Sequence, residues 1–129
     1  MIAHNGDAFV AKYSSNGDLI WARNFGDQGL GIAVDGLGSF YATGTFNGPT
    51  DFDSGPGLDL RTSNGGNDIF LAKLDNSGNV LFVHTFGYES NDQANDLAID
   101  ANNNVYMTGF VGTNLVDFRY NAWCCTGWQ

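Results

Sequence analysis

Short apolar runs, punctuated by clusters of Asn, Asp, Ser and Gly, set the pattern of the chain. Runs bounded this way predict β-strands rather than helices. Strands are expected at Ala8–Tyr13 and Asp18–Phe25 around the turn Ser14-Ser15-Asn16-Gly17. A second pair is expected at Leu30–Asp35 and Ser39–Phe46 around Asp35-Gly36-Leu37-Gly38. Asn16-Gly17 is a strong hairpin signal, because both residue types tolerate a positive φ. A loop from Asn47 to Asn67 holds both prolines, Pro49 and Pro56, and bridges to a repetition of the same plan. Within it, Leu58–Thr62 alternates apolar and polar and is expected to add a short outer strand. Ile69–Leu74 and Asn79–Phe86 then flank Asp75-Asn76-Ser77-Gly78, and Ala94–Asp100 and Asn104–Val111 flank Ala101-Asn102-Asn103.

These strands do not alternate cleanly. In Ile69–Leu74 one face carries Ile69 and Leu71, and the other carries Phe70, Ala72 and Leu74. In Val80–Phe86 the faces carry Val80, Phe82 and Phe86, and Leu81 and Val83. A sheet apolar on both faces must be covered on both. Four-stranded units packed face to face satisfy that requirement, and a β-propeller provides them.

The plan recurs residue by residue. Asp7–Gly26 aligns with Asp68–Gly87 at an offset of 61, and Asp27–Phe46 aligns with Asp92–Val111 at an offset of 65. Fourteen of these 40 positions are identical, and most of the others keep a strand side chain apolar, as in Val10/Leu71, Ile20/Leu81, Trp21/Phe82 and Val34/Ile99. What recurs is strand packing, not a reaction centre. Asn5-Gly6-Asp7 matches Gly66-Asn67-Asp68, so the chain opens in the middle of a repeat.

Composition sharpens the all-β reading. The chain has 129 residues, 43% of them hydrophobic, enough for a domain-sized core. It has one Glu (Glu89) and two Lys (Lys12, Lys73), so good helix formers are scarce while turn formers abound. A net charge of −9 argues against nucleic-acid binding, which needs a basic footprint, and against anionic membrane surfaces. The acidity reads as solubility and Asp-rich turns, with calcium binding by loop carboxylates as the sharper alternative. No apolar run is long enough for a transmembrane helix, and no leader opens the sequence. As a whole protein the chain would be cytosolic; as part of a longer one, its compartment is not constrained.

The ordered pattern D-x-F-x-A-K, G and F-G, followed by A-x-D and Y-x-T-G, occurs twice and resembles the bacterial β-propeller repeat called the SBBP repeat. The resemblance covers nearly all of residues 7–118, and Asp51–Gly57 leading into Gly65–Asp68 is similar to the linker between such repeats. It implies an open, all-β fragment of about two blades. Each blade is a four-stranded antiparallel sheet with GIAVD innermost, then FYATGTF, DIFLAKL and VLFVHTF outermost. Residues 1–118 form the repeat region, with one complete blade at about 30–86 flanked by half blades. The implied function is non-catalytic, structural and binding, in a secreted or cell-surface bacterial protein. The implied partners are further blades of the same full-length chain, copies of itself, or an extracellular protein or glycan. The alternative is part of a propeller enzyme, a glycan hydrolase or lyase, whose catalytic residues lie in other blades.

Residues 119–129 depart from the repeat, with two of the three Trp and both Cys close together. A shift of one nucleotide in reading frame permits Asp, Pro and Gly at positions 119, 122 and 123. Their counterparts Asp53, Pro56 and Gly57 lie 66 residues earlier, so the tail reads as an out-of-frame translation of the next linker, with a genuine divergent C-terminus as the alternative. Taken as written, the adjacent Cys124 and Cys125 have no partners at zinc-ligand spacing.

No catalytic, cofactor-binding or metal residue is assigned from sequence. His4 and His84 are the only histidines, and His84 aligns with Arg23, as an outward strand residue would. Ser14, Ser15 and Ser77 lie in turns without a partner His. Asp35 and Asp100, Asp7 and Asp68, Asp27 and Asp92, and Asp51 and Asp117 are equivalent pairs at strand ends. There carboxylates hydrogen-bond turn backbone. For calcium, Asp51-Phe52-Asp53 and Asp96 with Asp100 are the best candidates, but neither has EF-hand spacing. The Gly-rich run from Gly26 to Gly31 lacks the following helix or Lys that phosphate binding needs.

Overall fold

A computed structural model describes residues 7–24, 26–53, 56–112 and 118. Among the described residues there are ten strands and no helix: β1 (Phe9–Tyr13), β2 (Leu19–Asn24), β3 (Gln28–Val34), β4 (Phe40–Phe46), β5 (Pro49–Asp51), β6 (Leu60–Thr62), β7 (Asp68–Leu74), β8 (Val80–Phe86), β9 (Gln93–Ile99) and β10 (Val105–Phe110). His4, Asp117 and the tail Arg119–Gln129 lie outside the described residues.

One device closes four hairpins. Ser14 Oγ accepts the N–H groups of Asn16 (3.3 Å) and Asp18 (3.0 Å). Asp35 Oδ1 accepts those of Leu37 (2.9 Å) and Ser39 (3.0 Å). Asp75 Oδ1 accepts those of Ser77 and Asn79 at 2.9 Å, and Asp100 Oδ1 those of Asn102 and Asn104 at 2.9 Å. The residue two positions before the second strand is left-handed each time: Gly17 (φ 91°), Gly38 (87°), Gly78 (83°) and Asn103 (64°). This is the three-residue loop, a turn followed by one left-handed residue. The Gly17 N–H donates to the Ser14 carbonyl at 3.0 Å, which places the turn at Ser14–Gly17 as its residues suggest, with Gly17 as the left-handed residue.

The hairpins combine across the sequence repeat. The central sheet has the order β3-β4-β7-β8, antiparallel throughout. β4 and β7 pair in an unbroken register, with Phe40 opposite Leu74, Ala42 opposite Ala72 and Phe46 opposite Asp68. The β1–β2 and β9–β10 hairpins are separate two-stranded sheets among the described residues. β5 and β6 pair with each other rather than extending the outer edge expected for Leu58–Thr62. Their ribbon carries Phe52 into the core, 5.3 Å from the Phe46 ring and 5.5 Å from that of Phe70.

Both faces of the central sheet are covered, as its two-sided apolar pattern requires. On one face Phe40, Phe46, Phe70, Ala72, Leu74 and Val83 pack with Phe52, and with Trp21 and Val10 from the first hairpin. Trp21 stacks on Phe40 at 5.1 Å between centroids. On the other face Ile69 and Phe86 pack with Ala94 and Met107 from the last hairpin.

Equivalent apolar side chains of the two repeat copies differ in exposure, so the repeat supplies its own control. Phe70 is 1% exposed, and its equivalent Phe9 is 63% exposed. Leu97 is 7% exposed and its equivalent Ile32 is 56%. Tyr41 is 7% exposed and its equivalent Tyr106 is 59%. In each pair the buried member has a strand or sheet face against it that the exposed member lacks.

Candidate functional site

Antiparallel pairing sends the tight turns to one end of the sheet and the longer linkers to the other. At the first end, adjacent turns are tied together. The Asn76 carbonyl accepts the Trp21 indole N–H at 3.1 Å, and the Asn76 side chain accepts Lys12 Nζ. Asn103 Oδ1 accepts the Gly36 N–H at 2.9 Å. Gly78 is open to a left-handed φ and also to Trp21, because a Cβ there would lie 2.7 Å from the indole. Leu37, at the tip of its turn, is exposed.

At the second end, two buried carboxylates order the linkers. Asp68 opens β7 and accepts the Asn64 N–H at 2.9 Å through Oδ2. Asp92, just before β9, accepts Tyr88 N–H at 3.0 Å and Gly112 N–H at 2.8 Å, one on each oxygen. The Asp92 N–H donates to the Asn67 carbonyl at 2.7 Å, and Asn91 Oδ1 accepts the Asn67 N–H at 2.8 Å. Gly87 leaves room for the Asp68 carboxyl, which a Cβ at that position would strike. Asp68 Oδ1 is buried and has no hydrogen-bond partner among the described residues. Burial first, and the nearby Asp92 charge after it, push Asp68 up to about 6, against the lowering effect of the Asn64 N–H.

The other sequence candidates are placed individually. Asp51 Oδ1 accepts the N–H groups of Asp59 and Asp53, both at 2.9 Å, and these hold its carboxyl below the usual range. Asp100 also accepts Asn104 Nδ2 and Tyr106 Oη, both at 3.1 Å, and the Asn104 backbone N–H leads in lowering it. The Asn79 N–H does the same for Asp75. Asp96 turns back to accept the N–H of the next residue, Leu97. Ser14 is a turn cap, and Ser15 and Ser77 are exposed turn residues. His84 sits on β8 with its ring 4.5 Å from that of Phe82 and 6.4 Å from that of Phe86. Burial, then the Arg61 charge, holds its pKa below the ordinary value. Among the described residues, no three His, Cys, Asp or Glu side chains converge as a metal site would require. The Asp68–Asp92 junction is the feature that residue-by-residue reading missed; the recurrence of both positions was the signal for it.

These carboxylates fix the pH dependence of stability. Asp68 is raised above the unfolded value of about 3.9. As pH rises from about 4 to about 6 the unfolded chain releases this proton first, so stability falls across that window and levels off above it. Asp51, Asp75 and Asp100 act oppositely: their contribution is present above about 4 and is lost as pH falls below it. The urea midpoint is therefore expected to peak between about pH 4 and 5, and Asp68→Asn is expected to remove the decline on the alkaline side. A wild-type midpoint that is flat from pH 4 to 6 would count against the buried, unpartnered Asp68.

No protein-family model matches the chain. Among curated proteins it is similar to an uncharacterized WD repeat-containing protein of Acanthamoeba polyphaga mimivirus, 29% identical over 121 residues that take in 88% of this chain. The chain spans only 9% of the length of that relative. By the all-strand build of its described residues, its four-stranded antiparallel sheet and this likeness, the chain is an open, all-β array of propeller-type repeats.

Proposed function

We propose that the chain is a non-catalytic structural and binding segment of a larger bacterial β-propeller of the SBBP-repeat type, secreted or held at the cell surface. The observation that carries this reading is the paired exposure of equivalent residues, Phe70 against Phe9 and Leu97 against Ile32. Sheet faces that are complete only when covered are consumed by stacking on further units. What remains for other molecules is the two ends, with their tight turns and carboxylate-tied linkers. The WD repeat-containing relative is far longer than this chain, in keeping with a segment of an array.

The test is to extend the chain by one further unit, residues 30–86, in tandem. Each added unit is expected to raise the unfolding midpoint, because nearest-neighbour interfaces add to repeat stability. An unchanged midpoint would contradict a stacking role. For location, protease shaving of intact source cells is expected to release peptides from Gly65–Gly109; release only after lysis would contradict surface display.

A further inference from the structure

We infer that the free edges of β10 and β1 are complementary, and that a second copy of this chain docks its β1 on β10 in one register, head to tail. The inference rests on the propeller-type reading, adds a partner and a register to it, and concerns the 129-residue chain by itself: within a longer protein, the next repeat of the same chain would present the β1-type edge in the same register. Among the described residues β10 pairs only with β9, and β1 only with β2. Each is the repeat equivalent of a strand that is paired on both sides, β10 of β4 and β1 of β7.

The β4–β7 ladder is thus a template. Transferred by the offsets of 65 and 61, it sets Val105 opposite Tyr13, Tyr106 opposite Lys12, Met107 opposite Ala11 and Gly109 opposite Phe9 of the second copy. The chemistry of each pair is retained. Lys73 Nζ lies 5.4 Å from the Tyr41 ring centroid, and Tyr106 and Lys12 repeat that pair. Gly44 faces Phe70, and a Cβ on it would come within 3.0 Å of the Phe70 ring. Gly109 and Phe9 repeat that fit of a ring over a glycine. Phe9, Tyr13, Tyr106 and Phe110, all exposed large side chains, lie on the two edge strands concerned. A cleft lined by Asp7–Ala11 on one side and Gln28–Ile32 on the other runs beside β1, where the incoming β9 and β10 must sit.

The joined strands would read β9-β10-β1-β2, the order of the central sheet. The interface is heterologous, so it closes into a ring only if the rotation permits. With two blades' worth per copy and closure at about four to eight blades, rings of about two to four copies are expected.

The test uses the full chain. Native mass spectrometry and sedimentation of the unmodified protein are expected to show one closed species of two, three or four copies. Phe9→Ala is expected to weaken that association at least about tenfold without changing the circular dichroism of the dissociated chain. In a background of Cys124→Ser and Cys125→Ser, the pair Lys12→Cys with Tyr106→Cys is expected to oxidise into intermolecular disulfides that end at the ring. Moving one thiol by a single residue, Lys12→Cys with Met107→Cys, puts the thiols on opposite faces and is expected to abolish the cross-link. A folded chain that stays monomeric at every concentration overturns the inference while leaving the repeat architecture intact. Cross-linking by Tyr106→Cys alone overturns it too, because that signals a two-fold β10–β10 contact. An unfolded monomer would instead undo the propeller-type reading on which the inference stands.

Discussion

Phe70→Ala is expected to cost about 3–5 kcal/mol of folding stability, while the same substitution at its repeat equivalent Phe9 costs less than about 0.5 kcal/mol in the dilute, unassembled chain. The residue, the strand type and the repeat position are the same in both. Only the surroundings differ. Phe70 is buried between the Phe52 ring and the backbone of β4, where Gly44 and Gly26 leave it space. Deleting its ring removes the transfer free energy and opens a cavity that rigid strands cannot close. Phe9 is on the bare face of the first hairpin and has little to lose. A loss of that size is a large share of the whole stability of a typical domain, so Phe70→Ala is expected to unfold at a much lower urea concentration. Urea titration followed by circular dichroism measures both variants. Equal losses at the two positions would mean that the faces are not distinguished by stacking.

Gly44→Ala is expected to be comparably severe, about 3 kcal/mol or more, for the opposite reason of overpacking. A Cβ at Gly44 would occupy the position of the Gln28 carbonyl oxygen and press on Phe70. The β3–β4 register shifts at Gly29/Gly31, which brings the Gln28 carbonyl toward Gly44. The second copy has the same arrangement, with Gly109 under the Gln93 carbonyl and a register shift at Thr108/Gly109. Backbone cannot move aside as a side chain can. Gly38→Ala is the comparison, because its Cβ meets nothing within 4 Å and only the left-handed φ of 87° is strained. That strain costs about 1–2 kcal/mol. Thermal unfolding of the two variants should rank them in this order. If Gly44→Ala proved as mild as Gly38→Ala, the bulge at Gly29–Gly31 would be wrong.

Much of this architecture is legible in the chain itself. Turn formers at regular intervals mark the eight long strands to within one or two residues, because Gly17, Gly38 and Gly78 occupy positions that demand a left-handed backbone. The two-sided apolar pattern of Ile69–Leu74 announces a sheet covered on both faces, and both are covered. The turn Ser14–Gly17 was legible from its residues, whereas the Ser14 hydroxyl that caps it shows only in the structure. The β5–β6 ribbon was hidden because Pro49–Asp51 carries no strand pattern; its reward is tertiary, the burial of Phe52. The Asp68–Asp92 junction was hidden for a similar reason. A recurring Asp reads as a turn cap, and burial beside a second carboxylate depends on how Gly87 and Gly112 bring the linkers together. His84 lies beside two Phe rings and near the Arg61 charge on a half-buried strand, a setting that spacing along the strand does not specify.

The central claim is that the units are staggered with respect to the sequence repeat, so that β4 of one copy pairs with β7 of the next. Each sequence repeat contains four strands and could have folded on itself as β1-β2-β3-β4. Cross-strand nuclear Overhauser contacts in the isotopically labelled chain decide between these. The account predicts backbone contacts linking Ala42 with Ala72 and Phe40 with Leu74, and none pairing Leu19–Asn24 with Gln28–Val34. A β2–β3 ladder, with β4 unpaired to β7, would contradict it.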